Sequence, residues 1–183
     1  MATSIGPPLP RVFDHLLPDA DAPTRERALA LYREHYRAHG WSDNRVYPGV
    51  LELLEAVRRR GWRACIATSK TRASAERIAR HFGLRPYLGE VYGRGADGSF
   101  ADKPELLAHA VAQEDADPAC SVMVGDRRYD VEGAHAVGLH PLGVAWGYGT
   151  QAELLTAGAA RVCGDPPALL AALDEFALAA PGP

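Results

Sequence analysis

The chain has 183 residues, of which 47% are hydrophobic, and a formal net charge of −3 with a pI of about 6.2. This length predicts one domain with one hydrophobic core and room for a small accessory part. The slightly acidic charge argues against nucleic acid as a main partner and favours a small molecule. No stretch approaches the roughly 20 apolar residues of a membrane span, so we expect no membrane partner and a cytoplasmic protein.

Three cysteines, Cys65, Cys120 and Cys163, are odd in number and widely spaced, and they lie in or beside apolar runs. This pattern does not fit a disulfide framework or the spacing of a metal site. We therefore predict reduced thiols in the core of an intracellular protein.

The N-terminal part of the chain predicts helices and loops but no strand. Prolines make residues 1–10 irregular, a short helix follows around 12–17, and a longer helix is predicted over 24–39. Thr24 can cap that longer helix, and Gly40 can end it. This beginning is unusual, because a protein built on a sheet commonly opens with a strand.

From Tyr47 onward the pattern alternates between helix and strand. Helices are predicted over 48–60, 73–82, 104–113 and 131–137 and from 152 and 166, and strands over 62–68, 88–92, 121–125, 140–146 and 161–163. Five strands joined by helices predict an α/β fold, a doubly wound, Rossmann-like parallel sheet.

Two carboxylates, Asp126 and Asp130, follow the strand over 121–125, which its apolar residues predict to be buried. Ligands of open α/β sheets bind beyond the carboxyl ends of the strands, and two hard oxygen donors there favour Mg²⁺. The alternative is that Asp126 caps the following helix and Asp130 is a solvated acid of its first turn. This stretch alone leaves both interpretations open.

Two further polar positions lie at a strand end and at a helix start. Thr68, Ser69 and Lys70 end a strand, where hydroxyls and backbone N–H groups can hold a phosphate, although a plain helix cap explains them equally. Lys103 directly precedes Pro104 at a helix start, where a cation is unfavourable unless an anion lies nearby. The alternative for Lys103 is a solvated surface lysine. Together with the paired acids, these residues predict a Mg²⁺-assisted phosphate site.

Three polar segments thus follow one another in order: Ile66-Ala-Thr-Ser-Lys70, Asp102-Lys103-Pro104 and Val124-Gly-Asp126-Arg-Arg-Tyr-Asp130. They resemble the second, third and fourth motifs of the haloacid dehalogenase-like hydrolases. Four other segments resemble the phosphoglycolate phosphatase and 5′-nucleotidase branch of that family: Ile5-Gly-Pro-Pro-Leu9, Asn44-Arg-Val-Tyr-Pro-Gly49, His81-Phe-Gly-Leu84 and Trp146-Gly-Tyr-Gly149. The resemblance covers nearly the whole chain.

The resemblance implies a phosphatase that works through an aspartyl-phosphate. It implies that Thr68 and Ser69 bind the phosphoryl group and that Lys103 neutralises the nucleophile and the phosphate, with Thr68 and Lys103 as catalytic residues. Asp126 and Asp130 would hold or orient the cofactor Mg²⁺. The expected ligand is a small phosphorylated metabolite or nucleotide, with a slight preference for 5′-nucleotides.

The same resemblance implies that residues 1–46 form a partial helical cap and that residues 47–183 form an α/β core. Members of this family open with a strand that ends in Asp-x-Asp-Gly-Thr, whose first aspartate is the nucleophile. The first Asp-x-Asp of the chain is Asp19-Ala-Asp21, which is followed by Ala-Pro rather than Gly-Thr and is interpreted as a linker. We therefore expect a core that lacks its central first strand, two strands with unpaired edges, and an inactive chain, as a misplaced start codon or a gene fragment would give.

Two hypotheses of different classes follow. The first is a Mg²⁺-dependent hydrolase of small phosphomonoesters, active in a full-length form. The second is a non-catalytic module that binds a phosphorylated ligand or a partner protein. An in-frame segment ending in Asp-x-Asp-Gly-Thr before the Met1 codon would decide for the enzyme, and the oligomeric state stays open.

Overall fold

The computed structural model of the protein describes residues 9–180. Contacts divide the chain between Arg45 and Val46 into an N-terminal unit and a larger C-terminal unit. Of the segment predicted to be irregular, residues 1–8 lie outside the described part, and the remaining two begin the first helix. No helix within residues 9–180 is both long and apolar enough to cross a bilayer.

The N-terminal unit is helical, as predicted. It contains α1 (Leu9–Leu16), α2 (Ala22–His35) and a π-helical turn (Tyr36–Gly40). The prediction that Thr24 caps α2 is wrong, because the carboxylate of Asp21 accepts a hydrogen bond from the Thr24 N–H at 3.0 Å and caps the helix. A carboxylate is favoured there by the positive end of the helix dipole.

The C-terminal unit alternates helices and strands. Its elements are α3 (Val50–Arg59), β1 (Ile66–Thr71), α4 (Arg72–His81), β2 (Val91–Arg94), α5 (Lys103–Gln113), β3 (Val122–Gly125), α6 (Arg128–Ala136), β4 (His140–Val144), α7 (Gln151–Thr156), β5 (Arg161–Cys163) and α8 (Pro166–Ala179). The order and type of these elements confirm the prediction. Single 3₁₀ turns at Arg85–Tyr87 and Pro118–Cys120 complete the unit.

The predicted bounds of β1 are wrong by four residues at its start and three at its end. The strand was expected over 62–68, but it begins at Ile66, where pairing with Val91 of β2 begins. The strand also continues to Thr71, whose side-chain oxygen accepts a hydrogen bond from the Ser74 N–H and caps α4. Strand pairing decides these bounds, and the local sequence does not show which residues of two strands pair.

The strands form two parallel sheets, one of order β1-β2 and one of order β3-β4-β5. Their registers pair Ile66 with Val91, Val122 with His140, and Leu142 with Arg161. Within residues 9–180, no strand pairs with the other edge of β1 or of β3.

The prediction that β3 is a buried strand is wrong. Val124 is 37% exposed, whereas three of the four residues of β2 and four of the five residues of β4 are buried. Strands of a parallel sheet are normally covered on both faces and both edges, so the open edge of β3 accounts for the exposure of Val124.

The core of the unit lies between the sheets and their helices. Leu53 of α3 and Leu169 of α8 pack with Leu142 and Val144 of β4 in one buried cluster that includes Cys163. The expectation that all three cysteines lie in the core is therefore only partly right. The other two, Cys65 and Cys120, are exposed, because each lies in a connection just before its strand begins.

Candidate active site

Lys103 joins three segments that are far apart in the sequence. Its Nζ lies 2.7 Å from Oδ1 of Asp130, in the first turn of α6, and donates a hydrogen bond of 3.1 Å to the carbonyl oxygen of Ala67 in β1. The side chains of Lys103 and Asp130 are only 10% and 13% exposed. Ala67 is the second residue of β1 and directly precedes Thr68, and Asp130 lies in the first turn of the helix that follows β3.

The small exposed fraction of the Lys103 side chain, 10%, excludes the alternative of a solvated surface lysine. Pro104 follows it in the first turn of α5, as predicted. The anion expected near this helix start is the Asp130 carboxylate, which offsets the unfavourable position of a cation at the positive end of a helix dipole. Gly133 makes the approach possible, because a Cβ there would lie 2.5 Å from Cγ of Lys103.

Asp130 uses both carboxylate oxygens within the protein. Oδ1 pairs with Lys103, and Oδ2 accepts a hydrogen bond of 3.1 Å from the Arg127 N–H, as in a helix cap. A Cβ at Gly125 would collide with the Asp130 side chain, so this position at the end of β3 requires glycine. Asp130 is therefore neither the solvated acid of the alternative interpretation nor a carboxylate with a free oxygen.

Asp126, directly after β3, is held by the loop that follows β4. The Tyr148 N–H donates to its Oδ2 at 2.8 Å, and the Gly149 N–H donates to its carbonyl oxygen at 3.0 Å. A Cβ at Gly147 or Gly149 would collide with Asp126, so only glycine permits this close approach. Asp126 thus holds the loop with Oδ2, while its Oδ1 makes no hydrogen bond within the described residues.

Two exposed tyrosines lie beside Asp126. Tyr47 is 43% exposed and Tyr148 is 52% exposed. The pKa of the Tyr47 phenol is raised, first by its partial burial and then by the nearby Tyr148 and Asp126. The hydroxyl of Tyr47 therefore stays protonated at neutral pH and can donate a hydrogen bond at this end of the sheet.

Arg127 ties the turn between β3 and α6 to α7. Its Nε lies 2.8 Å from Oε1 of Glu153, which also accepts a hydrogen bond of 3.0 Å from the Arg128 N–H. Burial alone would raise the pKa of Glu153, but the hydrogen bonds from Arg127 and Arg128 outweigh it and lower that pKa below its ordinary value. Nη1 of Arg127 is buried and has no hydrogen-bond partner within the described residues.

Glu153→Gln is expected to lower the free energy of unfolding by about 1–2 kcal/mol at pH 7, because hydrogen bonds to an ionised group are lost. A carboxyl whose pKa is lowered by folding stabilises the protein above its ordinary pKa and ceases to do so as the pH falls through the lowered value. The difference between the two proteins should therefore shrink below about pH 4.3. Urea unfolding across pH measures it, and a difference that grows on acidification would contradict it.

Thr68 and Ser69 lie inside β1 rather than at the start of α4. The Thr68 hydroxyl oxygen accepts a hydrogen bond of 3.3 Å from the Lys70 N–H, and the helix cap is Thr71. The interpretation of Thr68 and Ser69 as plain helix caps is therefore wrong. Thr68 is half-buried next to the carbonyl that Lys103 contacts, whereas Ser69 is exposed and has no hydrogen bond to Lys103 within the described residues.

The structure thus brings Lys103, Asp130 and the strand segment at Thr68 together, with Asp126 on the neighbouring strand end. Within residues 9–180, no three His, Cys, Asp or Glu side chains come close enough together to hold a metal ion. Sequence reasoning missed the loop over 146–149 as the support of Asp126, and its two glycines were the available signal. It also missed the contact of Arg127 with Glu153, which no local sequence pattern indicates.

The sequence model of the haloacid dehalogenase-like hydrolases matches residues 9–138. The chain therefore belongs to the haloacid dehalogenase-like hydrolase family, as the order of its motifs predicted. Its curated relatives include proteins named 5′-nucleotidase and phosphoglycolate phosphatase, which confirms the predicted branch.

Three comparisons show how far the similarity extends. The tyrosine-protein kinase PtkA of Mycobacterium tuberculosis is 44% identical over 124 residues, which are 68% of this chain and 43% of that protein. A 5′-nucleotidase of Pseudomonas aeruginosa is 37% identical over 171 residues, 93% of this chain and 77% of that protein. The crystal structure of a predicted phosphatase from Clostridium acetobutylicum has a TM-score of 0.87 at 31% identity and covers 95% of this chain and 80% of its own. The chain thus spans less than half of PtkA, and its predicted α/β fold is confirmed.

Proposed function

We propose that this protein is a hydrolase of small phosphomonoesters, in which the strand ends around Lys103 bind the phosphate. The observation that supports this most is the position of Lys103, whose side chain is only 10% exposed and contacts both Ala67 of β1 and Asp130 beyond β3. A preorganised cation that contacts both β1 and the helix after β3 can stabilise a transferring phosphoryl group.

Each of the site residues has a role in this proposal. The hydroxyl of Thr68 donates a hydrogen bond to a phosphate oxygen, and Ser69 contributes a second hydroxyl when its exposed side chain turns inward. Lys103 supplies positive charge to the phosphate, while Asp130 fixes the position of the ammonium. The Tyr47 and Tyr148 rings contact the part of the substrate beyond the phosphate, which favours a nucleotide over a small metabolite such as phosphoglycolate.

The proposed cofactor is Mg²⁺, which family members with this donor set employ. Asp126 would hold the ion through its free Oδ1, and Asp130 would orient the site through its bonds to Lys103 and the Arg127 N–H. Mg²⁺ commonly uses only one or two protein carboxylates and completes its shell with water and phosphate, so the donor set fits. When bound, the ion supplies positive charge to the phosphate oxygens.

Phosphate binding tests this proposal directly. We expect inorganic phosphate to bind the chain in the presence of Mg²⁺ and Thr68→Val to weaken that binding at least about tenfold, because a hydrogen bond to a charged group is lost while the side-chain shape is kept. Thr156→Val, at an exposed position at the end of α7, is the matched control and should change nothing. Isothermal titration calorimetry measures both. Equal affinities of the two variants would contradict the assignment of Thr68.

Within the described residues, we identify no aspartate in position to act as the nucleophile of this reaction. Asp21, the second member of the Asp-x-Asp in the N-terminal unit, caps α2 through the Thr24 N–H. We therefore expect the 183-residue chain to hydrolyse neither p-nitrophenyl phosphate nor nucleoside monophosphates above background with Mg²⁺. Clear turnover that disappears in Asp19→Asn or Asp21→Asn would overturn this expectation.

A module that binds phosphorylated ligands without turnover is the second candidate, and the use of Asp21 as a helix cap favours it. The relatives' names describe phosphoryl chemistry for both a nucleotidase and a tyrosine-protein kinase. Expressing the chain together with the reading frame that precedes the Met1 codon separates the candidates. Turnover of nucleoside monophosphates by that product supports the hydrolase, and phosphate binding without turnover supports the module.

A further inference from the structure

Two histidines lie one helical turn apart in the N-terminal unit. His35 is the last residue of α2, and His39 lies in the π-helical turn that follows it. Side chains four positions apart on a helix lie on the same face, one above the other. The centroids of the two imidazole rings are 5.4 Å apart, and the ring planes make an angle of 50°. The two rings are therefore direct neighbours on one helix face.

Both rings are exposed and available to a ligand. Within residues 9–180, neither ring makes a hydrogen bond or an ion pair. Arg33 and Arg37 are each two positions from a histidine of the pair, which places their charges on the other side of the helix. Other histidines, by contrast, contact an aromatic ring or a backbone carbonyl: His81, His109, His135 and His140.

The turn that carries His39 is held in place by aromatic contacts. Its first residue, Tyr36, stacks on Tyr32 with centroids 6.1 Å apart, and Tyr32 contacts Phe13 of α1 edge to face at 5.8 Å. The Trp41 N–H donates a hydrogen bond of 3.0 Å to the Tyr36 carbonyl oxygen and closes the wide turn. Turns of this kind are frequent at functional sites. The backbone of the histidine pair is thus fixed before a ligand binds.

The separation of the rings matches two ligands of one metal ion. A Zn–N bond of about 2.0–2.1 Å places the metal about 3.2 Å from an imidazole centroid, so two such ligands at the tetrahedral angle have centroids about 5.2 Å apart. The observed separation is 5.4 Å. Imidazole nitrogen suits Zn²⁺, Cu²⁺ and Ni²⁺, whereas Mg²⁺ prefers oxygen ligands. The pair therefore selects a different class of ion from the carboxylates of the candidate active site.

We propose that His35 and His39 bind one divalent transition-metal ion, such as Zn²⁺ or Cu²⁺, with water completing its coordination. None of the residues of α2 is buried, so tertiary packing contributes little to the stability of this helix. An ion that joins its last residue to the following turn holds the end of the helix closed. Binding to the folded state alone then stabilises the N-terminal unit by mass action.

Metal titration of the 183-residue chain without an affinity tag tests the proposal. We expect calorimetry to show one Zn²⁺ bound per chain in excess Mg²⁺, and His35→Ala and His39→Ala each to weaken that binding at least about tenfold, because the chelate is lost. His15→Ala, at an exposed position near the end of α1, is the matched control and should bind Zn²⁺ as the wild type does. Asp126→Ala should also retain this binding, which distinguishes it from occupation of the proposed Mg²⁺ site.

Two further measurements identify the ligands. Electron paramagnetic resonance of bound Cu²⁺ should show coupling to two imidazole nitrogens in the wild type and to fewer in each variant of the pair. Zn²⁺ should raise the Tm and slow amide exchange over residues 36–41 in the wild type and in His15→Ala only.

Several results would overturn the proposal. One is an unchanged Zn²⁺ affinity in either His35→Ala or His39→Ala, and another is binding too weak to saturate at millimolar Zn²⁺. Half a Zn²⁺ per chain, with a dimer that forms only when the metal is present, would show that the ion bridges two copies instead of the two histidines of one chain.

Discussion

Lys103→Met is expected to lower the free energy of unfolding by about 3 kcal/mol, because it leaves the largely buried Asp130 carboxylate without its cation. The side chains of this pair are 10% and 13% exposed, and their charged atoms are 2.7 Å apart. Methionine keeps the length of the side chain, so the packing of its stem against Gly133 is retained. The loss therefore reports on the charge.

A double-mutant cycle separates the pair from its surroundings. Asp130→Asn alone should also destabilise the protein, whereas Lys103→Met combined with Asp130→Asn should cost less than the sum of the two single changes, since no buried charge is then unpaired. Urea unfolding monitored by circular dichroism measures all three. Arg161→Met, which breaks the exposed ion pair with Glu175, is the matched control and should leave stability nearly unchanged. Additive single changes would show that the two groups are not coupled.

Asp126→Ala is expected to weaken Mg²⁺ binding by at least about 100-fold, because it removes the carboxylate oxygen that we propose as the metal ligand. Asp126→Asn is the informative companion, since its amide oxygen can still accept the hydrogen bond from the Tyr148 N–H while the charge is gone. Both variants should lose Mg²⁺, and only the alanine variant should loosen the loop over 146–149. Calorimetry with Mg²⁺ measures the first effect, and amide exchange at Tyr148 measures the second.

Two other variants delimit this prediction. Asp174→Ala removes an exposed carboxylate that pairs with Arg60, and it should leave Mg²⁺ affinity unchanged. Lys103→Met should leave metal binding largely intact while it lowers phosphate affinity, because the ammonium acts on the phosphate rather than on the ion. Normal Mg²⁺ affinity of Asp126→Ala would show that Asp126 only anchors the loop that follows β4.

Most of the helices and strands could be predicted from the sequence, and so could the unusual position of Lys103 at a helix start. Pro104 at the start of α5 and Gly138 after α6 mark helix ends because their backbone preferences act locally. The apolar run before Asp126 likewise indicates a strand that ends at Gly125, because the pattern is local. Lys103 was identified as unusual because a cation at a helix start needs an anion nearby.

Only the tertiary structure decided which groups meet. The anion beside Lys103 is Asp130, the support of Asp126 is the Tyr148 N–H, and the cap of α4 is Thr71 rather than Thr68. The first two contacts depend on which strands pair and which helices pack together, and the third depends on where β1 ends. Burial follows from the same packing, as the exposed Val124 shows. Local propensity acts over a few residues, whereas contacts between residues 22 or more positions apart are set by the packing of whole elements.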